Sequence, residues 1–209
     1  MKKVEKFHFI TQDLEHLSHS QQVENVCSCG VKWVQMRIKE KPYEIWLNQA
    51  KEAMNICKKY NAIFIMNDNV AIARDVKADG VHLGKNDMNP KDARKILGEN
   101  VIIGATANTF EDVKKNADCG ADYIGLGPFR FTKTKLNLSP LLGLEGYKTI
   151  LEQCYKHNIK LPIIAIGGIR PGDVKDIINV GVYGIAVSSA IVNADNITEM
   201  TCNFLKELK

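Results

Sequence analysis

The sequence predicts a (β/α)8 barrel, one domain over residues 1–209, and three observations carry that expectation. Eight apolar runs of strand length recur along the chain, with helical segments between them and no linker or low-complexity break. The runs are continuous and rich in valine and isoleucine, the pattern of parallel strands covered on both faces. Glycine or polar residues then collect at the C-terminal end of seven successive strands. A barrel places its chemistry there, whereas an open doubly wound sheet, the structural alternative, needs it only at one switch point. At about 26 residues per strand–helix unit, the barrel would lie near the lower end of its usual size range.

The first run is "FHFI" (7–10). The second, "VKWVQMR" (31–37), continues to Lys39, so that Gln35, Arg37 and Lys39 alternate along one face. "YEIWLNQAKEAMNICKKY" follows as the clearest helix, with Ile45, Ala53, Ile56 and Cys57 near one face and lysines on the other. "AIFIM" (62–66) ends in Asn67 and Asp68, and "DGVHL" (79–83) is followed by "GKND" with Asp87. "NPKDARKIL" is the next helix, with Pro90 near its start, where a missing N–H costs nothing. "VIIGA" (101–105) runs into Thr106 and Asn108, and the helix "TFEDVKKNAD" comes after. "DYIGLG" (122–127) opens into "GPFRFTKTK", which sets Arg130, Lys133 and Lys135 among two threonines and two phenylalanines. Beyond the helix "LEGYKTILEQCYKH", the run "PIIAIGG" (162–168) ends in twin glycines and leads to "PGDVKDIINV". The last run, "GIAVSS" (184–189), ends in Ser188 and Ser189, and "NITEMTCNFLKEL" completes the series.

Composition narrows the function classes. Hydrophobic residues make up 45% and charged residues 25%, ordinary for a soluble globular protein. A net charge of +4 suits small anionic substrates but is too small and dispersed to argue for nucleic acid. The opening "MKKVEKFHFITQD" has neither the apolar core of a signal peptide nor a membrane span, so a cytoplasmic protein is expected, with no membrane partner. Its oligomeric state is left open, a homo-oligomer included. Of six cysteines only Cys27 and Cys29 are close, and Cys-x-Cys alone is a weak metal signal. Reduced thiols filling helix and core space is the simpler account.

Each polar residue also has a plain structural account. Arg37 and Lys39 suit solvated strand-end charges, Asn67-Asp68 a turn or helix cap, and Asp87 a cap for the helix near Asn89. His82, inside a strand, reads as a hydrogen-bonded core histidine. Together they say more. Arg37, Lys39 and Lys135 supply fixed positive charge, and arginine matches phosphate oxygens two at a time. Asp68 and Asp87 add two carboxylates, and Mg2+ commonly binds through one or two carboxylates plus substrate phosphate oxygens. A metal-bridged pyrophosphate fits this set. The turns after strands seven and eight, "IGGI" and "VSSAI", fit a monophosphate cradle built from backbone N–H groups.

The motifs "VQMRIK", "MNDNVAIARDVKADGVHLGKND", "GADYIGLGPFRFTKTK", "AIGGI" and "GIAVSSAI", in this order, resemble the thiamine-phosphate synthase family over nearly the whole chain. The resemblance implies a transferase joining hydroxymethylpyrimidine pyrophosphate to a thiazole monophosphate, with release of pyrophosphate. It implies that Gln35, Arg37, Lys39 and Asn67, with Thr106 and Lys135, hold the pyrimidine pyrophosphate. Asp68 and Asp87 would bind Mg2+. Thr132, Thr134, Gly168, Ser188 and Ser189 would hold the thiazole phosphate. The implied path is dissociative, through a pyrimidine carbocation, with Arg37, Lys39 and Lys135 neutralising the departing charge and no protein nucleophile.

Several positions depart from the common family pattern: Ile38 for Glu, Lys85 for Gln, Phe131 for Pro, Thr106 for Ser and Asn108 for His. Asn108 is the most informative, because an amide cannot move a proton as imidazole does. It is expected to orient substrate, and it weakens the rival reading as a thiazole tautomerase, which uses a histidine there. A non-catalytic phosphate sensor is the rival from another class, and the two aspartates weigh against it.

Overall fold

The computed structural model describes residues 4–39, 41–131 and 140–209. Its strands are β1 (Phe7–Ile10), β2 (Trp33–Met36), β3 (Ile63–Asn67), β4 (Gly80–Leu83), β5 (Ile102–Ala107), β6 (Tyr123–Leu126), β7 (Ile163–Ile166) and β8 (Gly184–Val187). They close in sequence order into a barrel in which each neighbouring pair is parallel. The helices are α1 (His19–Ser28), α2 (Tyr43–Lys59), α3 (Val70–Val76), α4 (Pro90–Leu97), α5 (Phe110–Asp118), α6 (Gly143–Lys156), α7 (Val174–Asn179), α8 (Ser189–Val192) and α9 (Ile197–Glu207). This is the predicted (β/α)8 architecture.

Local chemistry explains most helix starts. Ser18 and Thr109 close reciprocal capping boxes on α1 and α5. Asn69, Asn89 and Asn196 accept a backbone N–H from the first turn of α3, α4 and α9. The caps correct two structural alternatives: Asn69, not Asn67-Asp68, caps α3, and Asn89, not Asp87, caps α4. Both aspartates are thereby left for other work. The sequence pattern does not single out α1 or α3. In α1 the buried Val23, Val26 and Cys27 are diluted by glutamine, asparagine and serine, and α3 is only seven residues long. The "VSSAI" segment opens the four-residue α8, and "PGDV" begins with a 3-10 turn at Pro171–Asp173 before α7.

Strand alternation divides the interior in two. Phe9, Val34, Met36, Phe64, Val81 and Ile124 face the helices and belong to the larger core. Ile10, Trp33, Ile65, Ile102, Tyr123, Ile164 and Ala186 fill the barrel lumen. The lumen parity continues upward into the predicted site: Trp33 leads to Gln35, Arg37 and Lys39, Ile65 to Asn67, Ile102 to Thr106, and Ala186 to Ser188. Ile38, on the opposite parity, is fully buried in the outer core, which explains an apolar residue between two cations. Gly104 belongs to the lumen because a Cβ there would sit 2.1 Å from the Tyr123 ring. Cys27, Cys57 and Cys154 are buried thiols, as the simple account expects, but Cys202 lies exposed on α9.

Candidate active site

At the mouth, β2 is held by the segment that follows β1. The Thr11 hydroxyl accepts the Arg37 N–H at 3.0 Å, and Asp13 Oδ2 accepts the Lys39 N–H at 2.9 Å. His19 sits behind both, 2.7 Å from Thr11 Oγ1 through Nδ1 and 3.2 Å from Asp13 Oδ1 through Nε2. Burial first, and the charge of Lys41 with it, lowers the His19 pKa against the opposing pull of Asp13. Three residues thus set the backbone from which the two expected pyrophosphate cations project. Sequence reasoning gave them no role, and their only signal was polar residues just past the first strand.

Gln35 and Asn67 meet on neighbouring strands, where Gln35 Nε2 donates to Asn67 Oδ1 at 2.6 Å. Both are buried, and Gln35 Oε1 has no hydrogen-bond partner among the described residues. A buried acceptor left without a donor costs about 1–3 kcal/mol, so this atom is suited to a donor brought by a ligand.

Asp68 and Asp87 are close enough for their carboxyl groups to share a proton, and Lys39 Nζ lies 2.7 Å from Asp68 Oδ2. Asp87 Oδ2 also accepts the Gly84 N–H at 2.6 Å. Burial, then the hydrogen bond and charge of Asp68, push the Asp87 carboxyl up. Burial opposes ionisation of Asp68 too, but the hydrogen bonds from Asp87 and Lys39 outweigh it and hold its carboxyl below the usual range. Two carboxylates sharing one small space favour a cation between them. Among the described residues no group of three or more His, Cys, Asp or Glu side chains is placed to hold a metal. Two neighbouring carboxylates are a donor set that an ion such as Mg2+ could use only with substrate oxygens and water completing its shell.

Thr106 is reached through the lumen. Tyr123 OH lies 3.0 Å from His82 Nδ1, and His82 Nε2 lies 3.0 Å from Thr106 Oγ1. His82 is thus the hydrogen-bonded core histidine expected, and it also orients a site hydroxyl. Asn108 donates its amide to the Gly127 carbonyl, while its N–H and that of Thr109 go to Asp112, which Lys85 pairs at 2.8 Å. Asn108 and Lys85, two departures from the family pattern, are therefore tied into one loop scaffold.

Across the mouth lie Gly168, Ser188 and Ser189. Gly167 and Gly168 both have positive φ, 99° and 67°, which favours glycine. Ser188 Oγ donates to the Ile10 carbonyl at 2.7 Å and accepts Gln12 Nε2 at 2.9 Å. Its hydroxyl joins β8 to β1, so a phosphate would meet its backbone rather than that hydroxyl. Thr132, Thr134 and Lys135 lie outside the described residues. Of the two phenylalanines beside them, Phe129 is buried against Tyr147 and Phe131 is exposed.

A family model described as thiamine monophosphate synthase matches residues 7–191. The chain belongs to that family. Among its relatives, thiamine-phosphate synthase of Bacteroides fragilis strain YCH46 is 48% identical over 197 residues, covering 94% of this chain and 97% of that one. The Flavobacterium psychrophilum protein of the same name is 49% identical, covering 86% and 87%. Among solved structures, thiamine phosphate pyrophosphorylase from Pyrococcus furiosus superposes with a TM-score of 0.86 at 33% identity, covering 97% and 95%. Membership in the thiamine monophosphate synthase family makes the chain an enzyme, a transferase of thiamine synthesis. Among the described residues, no helix is long and apolar enough to cross a membrane.

Proposed function

We propose that this chain is a thiamine-phosphate synthase joining hydroxymethylpyrimidine pyrophosphate to a thiazole monophosphate and releasing pyrophosphate. The observation that carries the assignment is the Lys39–Asp68–Asp87 cluster at the mouth of a barrel of this family. A sensor of a phosphate ester has no need of paired carboxylates beside a cation.

On this reading Gln35 and Asn67 hold the pyrimidine, the orphaned Gln35 Oε1 taking a ring donor. Arg37 and Lys39, with Lys135, neutralise charge that builds on the leaving pyrophosphate. Asp68 and Asp87 hold Mg2+, which when bound would neutralise pyrophosphate charge as a Lewis acid. Thr106, oriented by His82, and Asn108 position the pyrimidine substrate, while Gly168, Ser188 and Ser189, with Thr132 and Thr134, hold the thiazole phosphate. No side chain has to act as a nucleophile, so positioning and electrostatics carry the rate. The proposal includes a cytoplasmic location and leaves homo-oligomerisation to a sizing measurement.

The test is turnover of the purified chain with both substrates and Mg2+, following thiamine phosphate and pyrophosphate. Equimolar appearance of both is expected. Binding of the substrates without product would return the protein to a sensor.

A further inference from the structure

Arg130 is the one cation of "GPFRFTKTK" within the described residues, and the family resemblance assigns it no role. Its side chain is committed to protein groups. Nη1 and Nη2 donate to Asp173 Oδ2 and Oδ1, each at 2.8 Å, and Nη1 also donates to the Gly168 carbonyl at 2.7 Å. The Arg130 N–H donates to the Gly167 carbonyl at 2.9 Å. Asp173 is braced in turn by the Arg170 N–H at 2.8 Å. The guanidinium lies over the ring of Phe129, 5.0 Å from its centroid, and that ring stacks on Tyr147 of α6.

One residue therefore grips both carbonyls of the Gly167–Gly168 turn. In a trans peptide the C=O and N–H point in opposite directions. Drawing the two oxygens to Arg130 turns the N–H groups of Gly168 and Ile169 to the other side. Successive backbone N–H groups presented on one side of a turn form an anion-binding concavity. Arg130 also closes the near side of the turn, since a Cβ on Gly168 would meet Arg130 Cβ and the Phe131 carbonyl at 3.0 Å each.

We propose that Arg130, braced by Asp173, is a positioning residue for the substrate monophosphate, setting the Gly168 and Ile169 amides without touching the phosphate itself. The inference rests on the assigned reaction for its substrate and on the turn geometry for its mechanism. The fork shape of the side chain is essential, because only a planar guanidinium serves both Asp173 oxygens and a carbonyl at once.

The test compares the wild type with Arg130→Ala, Arg130→Lys and Asp173→Asn in steady-state kinetics, each substrate varied in turn. Inorganic phosphate binding by calorimetry and a melting curve accompany each variant. Arg130→Ala and Asp173→Asn should raise the KM for the thiazole phosphate about tenfold or more, the loss typical of one charged hydrogen bond, with the other KM little changed. Arg130→Lys should fall between, and phosphate binding should weaken in the same order. Three results would overturn the proposal: both KM values rising together, melting temperature falling with kinetics unchanged, or Asp173→Asn behaving as wild type while Arg130→Ala loses binding. The last would make Arg130 a direct ligand. Should the wild type give no turnover, the assigned reaction fails, while the phosphate comparison still decides this inference: equal or absent phosphate binding across the set overturns it.

Discussion

Lys39 Nζ stands 2.7 Å from Asp68 Oδ2, joining the end of β2 to the end of β3 across the barrel mouth. Lys39 is half exposed, and such pairs contribute only about 0–1 kcal/mol to stability. So small a contribution to stability leaves the pair free for the role given to it in the proposed function, charge balance around a pyrophosphate.

Turnover should require a divalent cation. Excess chelator should stop it and added Mg2+ restore it. Asp87→Ala should weaken pyrophosphate binding about tenfold or more, as expected for one charged contact. Isothermal calorimetry with pyrophosphate and Mg2+ measures this, and full turnover in excess chelator would sink the metal assignment.

Thr11 and Asp13 should matter through the backbone that they hold. Removing the acceptor from the Arg37 or Lys39 amide, in Thr11→Val or Asp13→Ala, costs about 1–3 kcal/mol if that amide is left unsatisfied. The expected kinetic result is a raised KM for the pyrimidine pyrophosphate, with less change for the thiazole phosphate. Thr11→Ser keeps the acceptor and should stay near wild type. Equal changes for both substrates would reduce the pair to general scaffolding.

Asn108→Ala removes an amide bonded to the Gly127 carbonyl and no acid or base. A changed KM with an unaltered pH profile of kcat is expected. Abolished turnover with substrate affinities intact would show that the amide takes a more direct part in the chemistry.

Stability should fall in mild acid because of His8. It is buried against Trp33, ring centroids 3.8 Å apart, and burial, then His82, lowers its pKa well below the usual 6.5. Above pH 6.5 both folded and unfolded His8 are neutral, so its contribution is fully present. Below that value the unfolded chain takes up a proton that the native state refuses. Stability then drops by about 1.4 kcal/mol per pH unit, until the folded pKa is reached. Denaturant midpoints from pH 8 to pH 5 should show a shallower slope for His8→Phe; identical slopes would locate the acid sensitivity elsewhere.

The barrel was legible because strand and helix periods are local properties. Eight Val/Ile-rich runs with polar ends suffice to predict parallel strands buried on both faces, and the strand parity already aligned Gln35, Arg37 and Lys39. The carboxylate pair was legible for a similar reason: Asp68 and Asp87 follow neighbouring strands, and barrel closure brings such ends together. The weakly patterned α1 and the short α3 were not legible, since each is stabilised by its cap and by burial against neighbours.

Side-chain partners separated by long stretches of chain lay beyond the sequence. Arg130 reads as one of three cations in a loop, with no role of its own, yet it ends in an ion pair with Asp173 and on the carbonyl of Gly168. Ser188 reads only as part of a phosphate cradle, yet its hydroxyl joins two strands from opposite ends of the chain. Residue type states what a group is able to bond. Which bond forms depends on the group that closure places within about 3 Å, and the distance dependence of hydrogen bonds leaves that choice to the folded barrel.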